Sequence, residues 1–133
     1  MTIIYKNDLK IQKEQLVDLF SSVQWESSKH PERLQSAIAN SHSVITAWDD
    51  KKLVGLINAL SDGAMTVYFH YMLVDPDYQG NGIGKKLLQL MLEKYKDFPT
   101  KVLISYEQAT DFYIKHGFKA EEGTTPLFIT ELV

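Results

Sequence analysis

The sequence predicts one α/β domain with a mixed sheet, spanning residues 1–133, in the order β-α-α-β-β-β-α-β-α-β-β. Three apolar segments joined by short turns between residues 43 and 74 indicate an antiparallel meander. A strand, a helix and another strand follow, an order that implies a parallel pair with a crossover. No repeat, low-complexity tract or linker divides the chain. We therefore expect a single domain with a mostly antiparallel sheet.

The first half of the chain predicts a strand, two helices and the meander. Apolar residues recur at helical spacing over residues 11–23, and again at Leu34 and Ile38. Pro31 suits the first position of the second helix, where its missing N–H is not needed. The predicted strands are residues 2–6, 43–48, 52–60 and 65–74, with turns at 49–51 and 61–63.

The second half predicts two helices and three short strands. Apolar residues recur at helical spacing over residues 82–96, and residues 108–116 form a shorter helix. Gly117 suits the left-handed position that ends such a helix. The predicted strands are a buried segment, residues 102–105, and two last segments, residues 118–121 and 127–132.

Composition excludes several classes of function. The chain has no cysteine, which excludes a disulfide scaffold, a thiolate metal site and a cysteine nucleophile. Its 14 basic and 17 acidic residues give a net charge of −3, whereas a dedicated nucleic-acid binder shows a basic excess. Residues 1–10 show no signal-peptide pattern, and no stretch suits a membrane span. The histidines show no metal-ligand spacing. We expect a cytoplasmic protein that needs no metal and binds neither nucleic acid nor membranes.

A glycine-rich segment between the long third strand of the meander and the next helix carries the strongest functional pattern. Residues 79–85 read QGNGIGK. Glycine permits positive φ and close approach of the backbone to a ligand. The first amides of a helix have no internal partner and favour anions, so a phosphate or diphosphate is the expected ligand. Each hydrogen bond to a charged acceptor contributes about 1.5–3 kcal/mol.

The glycine spacing separates this loop from two common phosphate loops. A dinucleotide fingerprint needs a third glycine where this chain has Lys85, and a P-loop needs glycine at Gln79 and Ser or Thr at Lys86. The spacing that fits is Q-x-x-G-x-G, at Gln79, Gly82 and Gly84. At average usage of about 7% glycine, a bare G-x-G arises roughly 0.6 times by chance in this length, and requiring Gln first lowers that to about 0.03.

This pattern resembles the acetyl-CoA loop of the GCN5-related N-acetyltransferase (GNAT) superfamily, Gln or Arg, two residues, Gly, one residue, Gly or Ala. Residues 72–76 (MLVDP) look like the end of the family's fourth strand, and residues 109–118 (ATDFYIKHGF) resemble its second motif. The predicted element order also matches. One departure is Tyr106, where family members often carry an Asn that contacts CoA.

The resemblance implies a single GNAT-like acetyltransferase domain that moves acetyl from acetyl-CoA, its co-substrate, to a primary amine of a small molecule. It implies that the fourth and fifth strands splay apart and that the CoA arm pairs with the bared backbone near Leu73 and Val74. It implies further that the Tyr113 hydroxyl donates to the departing thiolate, for which an ordinary pKa near 10 is suited. The implied CoA-binding residues are Leu73, Val74, Gln79, Gly80, Asn81, Gly82, Ile83, Gly84 and Lys85.

The base is the less defined role. His70 is the first candidate, because relatives often use an acidic residue or His near this position and its ordinary pKa suits proton transfer. Tyr71, Glu107 and Asp62 are rivals, although Asp62 suits turn chemistry. In relatives the acceptor site often lies between the first two helices, where this chain has Trp25, Ser28 and His30. His42 and His116 are expected to be surface or cap residues.

Two other functions remain open. A non-catalytic acyl-CoA-binding or sensing module on the same fold would bind CoA without turnover. A nucleotide-binding protein whose loop only mimics the pattern would prefer ATP or NAD. Relatives are often homodimers, so a homodimer is the expected assembly.

Overall fold

The structure, a computed structural model, describes residues 2–132. The first and last residues of the predicted domain lie outside this range. Within it, one sheet contains five strands in the order β1-β2-β3-β4-β5. The strands are β1 (Ile3–Asn7), β2 (Ser43–Asp49), β3 (Lys52–Ser61), β4 (Thr66–Val74) and β5 (Thr100–Leu103). The helices are α1 (Lys13–Ser22), α2 (Pro31–Ala39), α3 (Ile83–Lys94) and α4 (Thr110–Ile114), with 3₁₀ turns at Glu26–Lys29, Pro76–Tyr78 and Glu107–Ala109.

The sheet has the predicted mixed topology. Strands β1 to β4 pair antiparallel, and β4 pairs parallel with β5 across the α3 connection. The β4–β5 pairing runs only from Thr66 opposite Thr100 to Phe69 opposite Leu103. Beyond Phe69, β4 continues to Val74 without β5 beside it. The predicted mixed α/β class and the splay of the fourth and fifth strands are confirmed.

Apolar residues cover both faces of the sheet, which explains the long apolar runs in the sequence. In β3, Leu53 and Leu56 pack with α1 and α2, while Val54 and Ile57 pack with α3 on the other face. Side chains alternate between the faces of a strand, so a strand buried on both sides reads as continuously apolar. The described residues include no helix long and apolar enough to cross a membrane.

The two last predicted strands, residues 118–121 and 127–132, are wrong: the described chain after β5 contains no strand. Leu127 and Ile129 are 91% and 107% exposed, so no neighbour buries the apolar side chains that gave this segment its strand-like pattern. An alternating pattern makes a strand only where another strand supplies hydrogen bonds and a face to pack on. The strand predicted at residues 102–105 is displaced to β5, whose edge position leaves Val102 41% exposed instead of buried.

Candidate active site

A cleft opens where β4 and β5 diverge. Its volume is about 630 Å³, and it lies between the segment that follows α1, the splayed part of β4 and the segment after β5. Its lining is rich in aromatic side chains, which include Trp25, Tyr68, His70, Tyr71, Tyr106 and Tyr113. Of the carboxylates and cationic side chains in the described chain, only Glu26 lines the cleft, and it pairs with Lys29 at 3.0 Å.

Peptide groups of β4 face this cleft without a strand partner. The amide of Asp75 donates to the Val54 carbonyl of β3 at 2.8 Å. Because the hydrogen-bonding direction alternates along a strand, every second residue of β4 before Asp75 also directs its N–H and C=O groups to β3. Leu73 lies opposite Leu56 in that pattern, and its amide is directed to β3. The amides of Met72 and Val74 alternate with it and face the splayed side. This geometry favours Val74 among the predicted residues and adds Met72, which the sequence did not single out.

The glycine loop presents a run of unpaired amides beside the end of β4. Within the described chain, the backbone N–H groups of residues 80–85 donate to no protein acceptor, and the first α3 bond is from Lys86 N to Gly82 O. Gly80 and Gly82 have φ of +84° and +77°, a backbone conformation that residues with a side chain rarely adopt. Six successive free donors at a helix N-terminus are an arrangement that favours an anionic ligand.

Buried and charged neighbours fix the start of this loop. Asp75 is 6% exposed, accepts the Asp77 amide at 2.9 Å and pairs with Lys52 at 3.5 Å. Gly55 lies under the first turn of α3, where a Cβ would come within 3.1 Å of the Ile83 and Leu87 side chains. The absence of a side chain at Gly55 therefore lets α3 approach the sheet closely, which places the loop at the end of β4.

Gln79, Asn81 and Lys85, which are predicted to contact CoA, lie on the loop and on the first turn of α3. Gln79 Nε2 donates to the Val74 carbonyl at 3.0 Å, and Asn81 Nδ2 donates to the Tyr78 carbonyl at 2.9 Å. Both side chains thus hold the loop to its own backbone and to β4. Lys85 is exposed on the first turn of α3.

Tyr113 lies in the cleft wall with its backbone locked by the end of α4. Gly117 has φ of +97°, so the Phe118 amide donates to the Tyr113 carbonyl at 3.2 Å and the Gly117 amide donates to Ile114 at 3.1 Å. This Schellman motif brings the Phe118 ring to 6.0 Å from the Tyr113 ring. No described residue hydrogen-bonds the Tyr113 hydroxyl, and its burial raises its pKa above the usual value. The hydroxyl is therefore protonated at neutral pH and free to donate to a ligand.

His70 is the candidate base that the geometry leaves available. Its ring stacks on Tyr71 at 4.1 Å between centroids and hydrogen-bonds no group in the described range. Desolvation in the cleft wall lowers its pKa below 6.5, which favours the neutral ring that accepts a proton.

The rival bases are engaged or remote. Tyr71 shares a hydrogen bond of 2.8 Å with Ser27 through its hydroxyl. Asp62 Oδ1 accepts the amides of three successive residues, Ala64, Met65 and Thr66, in the β3–β4 turn, as its turn chemistry predicts. Glu107 is exposed in a 3₁₀ turn and does not line the cleft.

Of the residues predicted near the acceptor site, only some line the cleft. Trp25 lines the cleft, with its ring 6.2 Å from that of Tyr106. Ser27 lines it in place of the expected Ser28, and His30 lies outside it.

Of the two remaining histidines, His116 Nδ1 bonds the Phe112 carbonyl at the end of α4, and His42 Nδ1 bonds the Tyr95 hydroxyl. The described residues contain no group of His, Asp and Glu that could hold a metal ion.

A mixed sheet that opens between β4 and β5, beside a helix-terminal loop of free amides, is the architecture of an acyltransferase domain. The family model of the GNAT acetyltransferase domain matches residues 9–126, and the chain belongs to that family. The predicted resemblance is thereby confirmed.

Relatives of known sequence agree with this assignment. The chain is 38% identical over 82 residues to GCN5-related N-acetyltransferase 2, a chloroplastic protein of Arabidopsis thaliana, covering 59% of this chain and 32% of the plant protein. It is 28% identical over 134 residues to the uncharacterized N-acetyltransferase ycf52 of Pyropia yezoensis, covering 95% and 76% of the two chains. The chain therefore spans about a third of the plant relative's length.

Solved structures share the fold over nearly the whole chain. A GNAT-family acetyltransferase from Streptococcus pneumoniae TIGR4 superposes with a TM-score of 0.84 at 27% identity, covering 98% of this chain and 99% of that one. A probable acetyltransferase from Staphylococcus aureus gives a TM-score of 0.86 at 21% identity, covering 97% and 99%, which shows the fold alone.

Proposed function

We propose that this chain transfers the acetyl group of acetyl-CoA to a primary amine of a small molecule by direct attack of the amine on the thioester. The observation that carries the proposal is the run of six free amides at residues 80–85, at the edge of the cleft where β4 loses its neighbour. Membership of the GNAT family supports the acetyl group as the one transferred.

Backbone donors do most of the binding in this proposal. The amides of residues 80–85 bind the diphosphate of CoA, and the exposed Lys85 adds positive charge nearby. The free amides of Met72 and Val74 bind the pantetheine arm as an added strand would. One of those amides donates to the oxyanion that forms when the amine nitrogen bonds the thioester carbon.

Two side chains handle the protons. The neutral His70 accepts a proton from the attacking amine, directly or through a water molecule. The Tyr113 hydroxyl donates a proton to sulfur as the carbon–sulfur bond breaks. The products are the acetylated amine and CoA thiol, and the proton that His70 accepts balances the one that Tyr113 loses.

The test measures turnover and binding side by side. Purified protein is incubated with acetyl-CoA and a panel of primary amines, and free thiol is followed. Calorimetry compares CoA, ATP and NAD as ligands. Amine-dependent thiol release with preferential CoA binding supports the proposal. Tight CoA binding without turnover on any amine identifies the non-catalytic acyl-CoA module instead, and preference for ATP or NAD refutes the CoA assignment. The small-molecule acceptor, the homodimer and the cytoplasmic location stay predictions.

A further inference from the structure

A bulge interrupts β4 at the cleft. Ile57 of β3 lies opposite Met72, but Ala59 lies opposite Phe69. Two β4 residues, His70 and Tyr71, therefore face a single β3 residue, Asn58. A bulge of this kind breaks the ladder locally and leaves a backbone group without its usual partner.

The Asn58 side chain supplies that partner. Asn58 is 1% exposed, and its Oδ1 accepts the Tyr71 amide at 2.7 Å. Its Nδ2 donates to Ser41 Oγ at 3.0 Å, and Ser41 Oγ donates to the Ala37 carbonyl at 2.9 Å. The Asn58 side chain thus contacts the segment after α2 through Nδ2 and, through a separate atom, Oδ1, holds the bulge. A buried N–H with no acceptor is unfavourable, so the bulge depends on a polar side chain here.

The far end of Tyr71 is also fixed. Its hydroxyl shares the 2.8 Å hydrogen bond with Ser27, and its ring stacks on His70. Fixing the Tyr71 backbone therefore also fixes the surface on which the His70 ring rests.

We propose that Asn58 is a positioning residue for acetyl transfer: its side-chain carbonyl holds the β4 bulge at the Tyr71 amide, so that Tyr71 and the stacked His70 form the cleft wall. This inference rests on the proposed function for its catalytic consequence. Asn58 touches the reaction only through its neighbours on β4. The glycine loop lies at the other end of β4 and is held by separate contacts through Asp75.

The experiment separates this role from a general contribution to stability. Asn58→Leu keeps the approximate volume but removes the acceptor. Asn58→Asp keeps an acceptor for the Tyr71 amide. Ser41→Ala is the matched control, because it removes a hydrogen bond from the same Asn58 side chain and leaves the bond to Tyr71. Each variant is assayed for kcat, for KM of acetyl-CoA, for CoA affinity and for hydrogen exchange of the Tyr71 amide by NMR.

We expect Asn58→Leu to lower kcat and to speed exchange of the Tyr71 amide, each by about tenfold or more, since that is the scale of one lost buried hydrogen bond. KM for acetyl-CoA and CoA affinity stay near the parent values. Asn58→Asp restores kcat and amide protection, and Ser41→Ala keeps both. If Asn58→Leu does not fold, Asn58→Ser, whose hydroxyl is too short to reach Tyr71, takes its place.

Three results overturn the proposal: unchanged Tyr71 exchange in Asn58→Leu, an equal loss of kcat in Ser41→Ala, or no rescue by Asn58→Asp. If the parent acetylates no amine, the proposed function and the catalytic role of Asn58 both fail. The exchange rates then still decide whether Asn58 holds the bulge, so the two failures are distinguishable.

Discussion

The Tyr78 hydroxyl donates a hydrogen bond of 2.5 Å to Asp49 Oδ2, which joins the glycine loop to the turn between β2 and β3. The carboxylate of Asp49 raises the pKa of this hydroxyl, so the donated proton stays on Tyr78. Lys52 Nζ lies 5.3 Å from the centre of the same ring. The backbone that carries the free amides is thus fixed before any ligand arrives, and a preorganised site loses less entropy on binding.

Tyr78→Phe should therefore weaken CoA binding while leaving the fold intact. The variant removes the bond to Asp49 and keeps the ring, so the loop becomes more mobile before the ligand arrives. Calorimetry with CoA measures the effect. Tyr5→Phe is the control, because the Tyr5 hydroxyl has no hydrogen-bond partner among residues 2–132. Equal CoA affinity in the two variants would show that the loop needs no anchor at Asp49.

Tyr113→Phe should lower kcat by about a hundredfold or more, the usual contribution of a general acid, with CoA affinity unchanged. The ring still packs on Phe118 and the Schellman motif stays, so only the proton donor is lost. Thiol release measures kcat, and calorimetry measures binding. Tyr106→Phe removes a second hydroxyl from the same cleft and should keep kcat. If Tyr106→Phe loses activity and Tyr113→Phe does not, Tyr106 is the acid.

The elements that local pattern defines could be predicted from the sequence. Short turns at residues 49–51 and 61–63 predicted the antiparallel meander, and Gln79, Gly82 and Gly84 predicted a glycine loop before α3. Glycine carries this information because its backbone freedom is needed at the position itself: Gly82 and Gly117 both have positive φ.

Features that depend on how strands pair could not be predicted. Asn58 lies in an apolar strand, and its partner depends on a register shift that no local pattern reveals. The cleft-facing amide of Met72 follows from hydrogen-bond alternation, which requires the β3–β4 register. The error at residues 127–132 has the same origin, because an apolar segment becomes a strand only where it pairs with another strand.

Acetyl transfer should gain a dependence on pH from His70. Desolvation holds the pKa of His70 below 6.5, and its role as base requires the neutral ring. The value of kcat/KM should therefore rise with pH along a titration curve whose midpoint lies below 6.5. His70→Gln should lower kcat and remove this acidic limb. Asp62→Asn, which keeps an acceptor for the turn amides, should leave the profile unchanged. An unchanged profile in His70→Gln would exclude His70 as the base.

Stability should depend on pH in the same direction. The pKa of His70 is lower in the folded chain than in the unfolded chain, so the unfolded state binds the proton more readily. Above the pKa of the unfolded chain, near 6.5, His70 is neutral in both states and does not change the free energy of unfolding. As pH falls through the folded pKa, the native state loses stability. The difference in thermal midpoint between the parent and His70→Gln, followed against pH, measures this contribution.

Gly82→Ala and Gly84→Ala should differ sharply, although both change the same loop. A Cβ at Gly82 meets nothing within 4 Å, but φ of +77° makes a left-handed alanine unfavourable by about 1–2 kcal/mol. Gly84 has no positive φ, and its Cβ would lie 3.5 Å from Met72 Cε, an ordinary contact. Relaxation of the loop in Gly82→Ala turns the free amides away from their shared direction, so CoA affinity should fall by about tenfold.

Gly84→Ala should keep CoA affinity, and Gly82→Asn should lie between the two, because asparagine tolerates the left-handed region better than alanine. Calorimetry with CoA, together with thermal midpoints, measures all three variants. If Gly84→Ala abolishes binding while Gly82→Ala does not, the ligand needs space at α3 and not a particular backbone conformation. The diphosphate would then approach the helix from the side, and the six amides of residues 80–85 would not form its binding site.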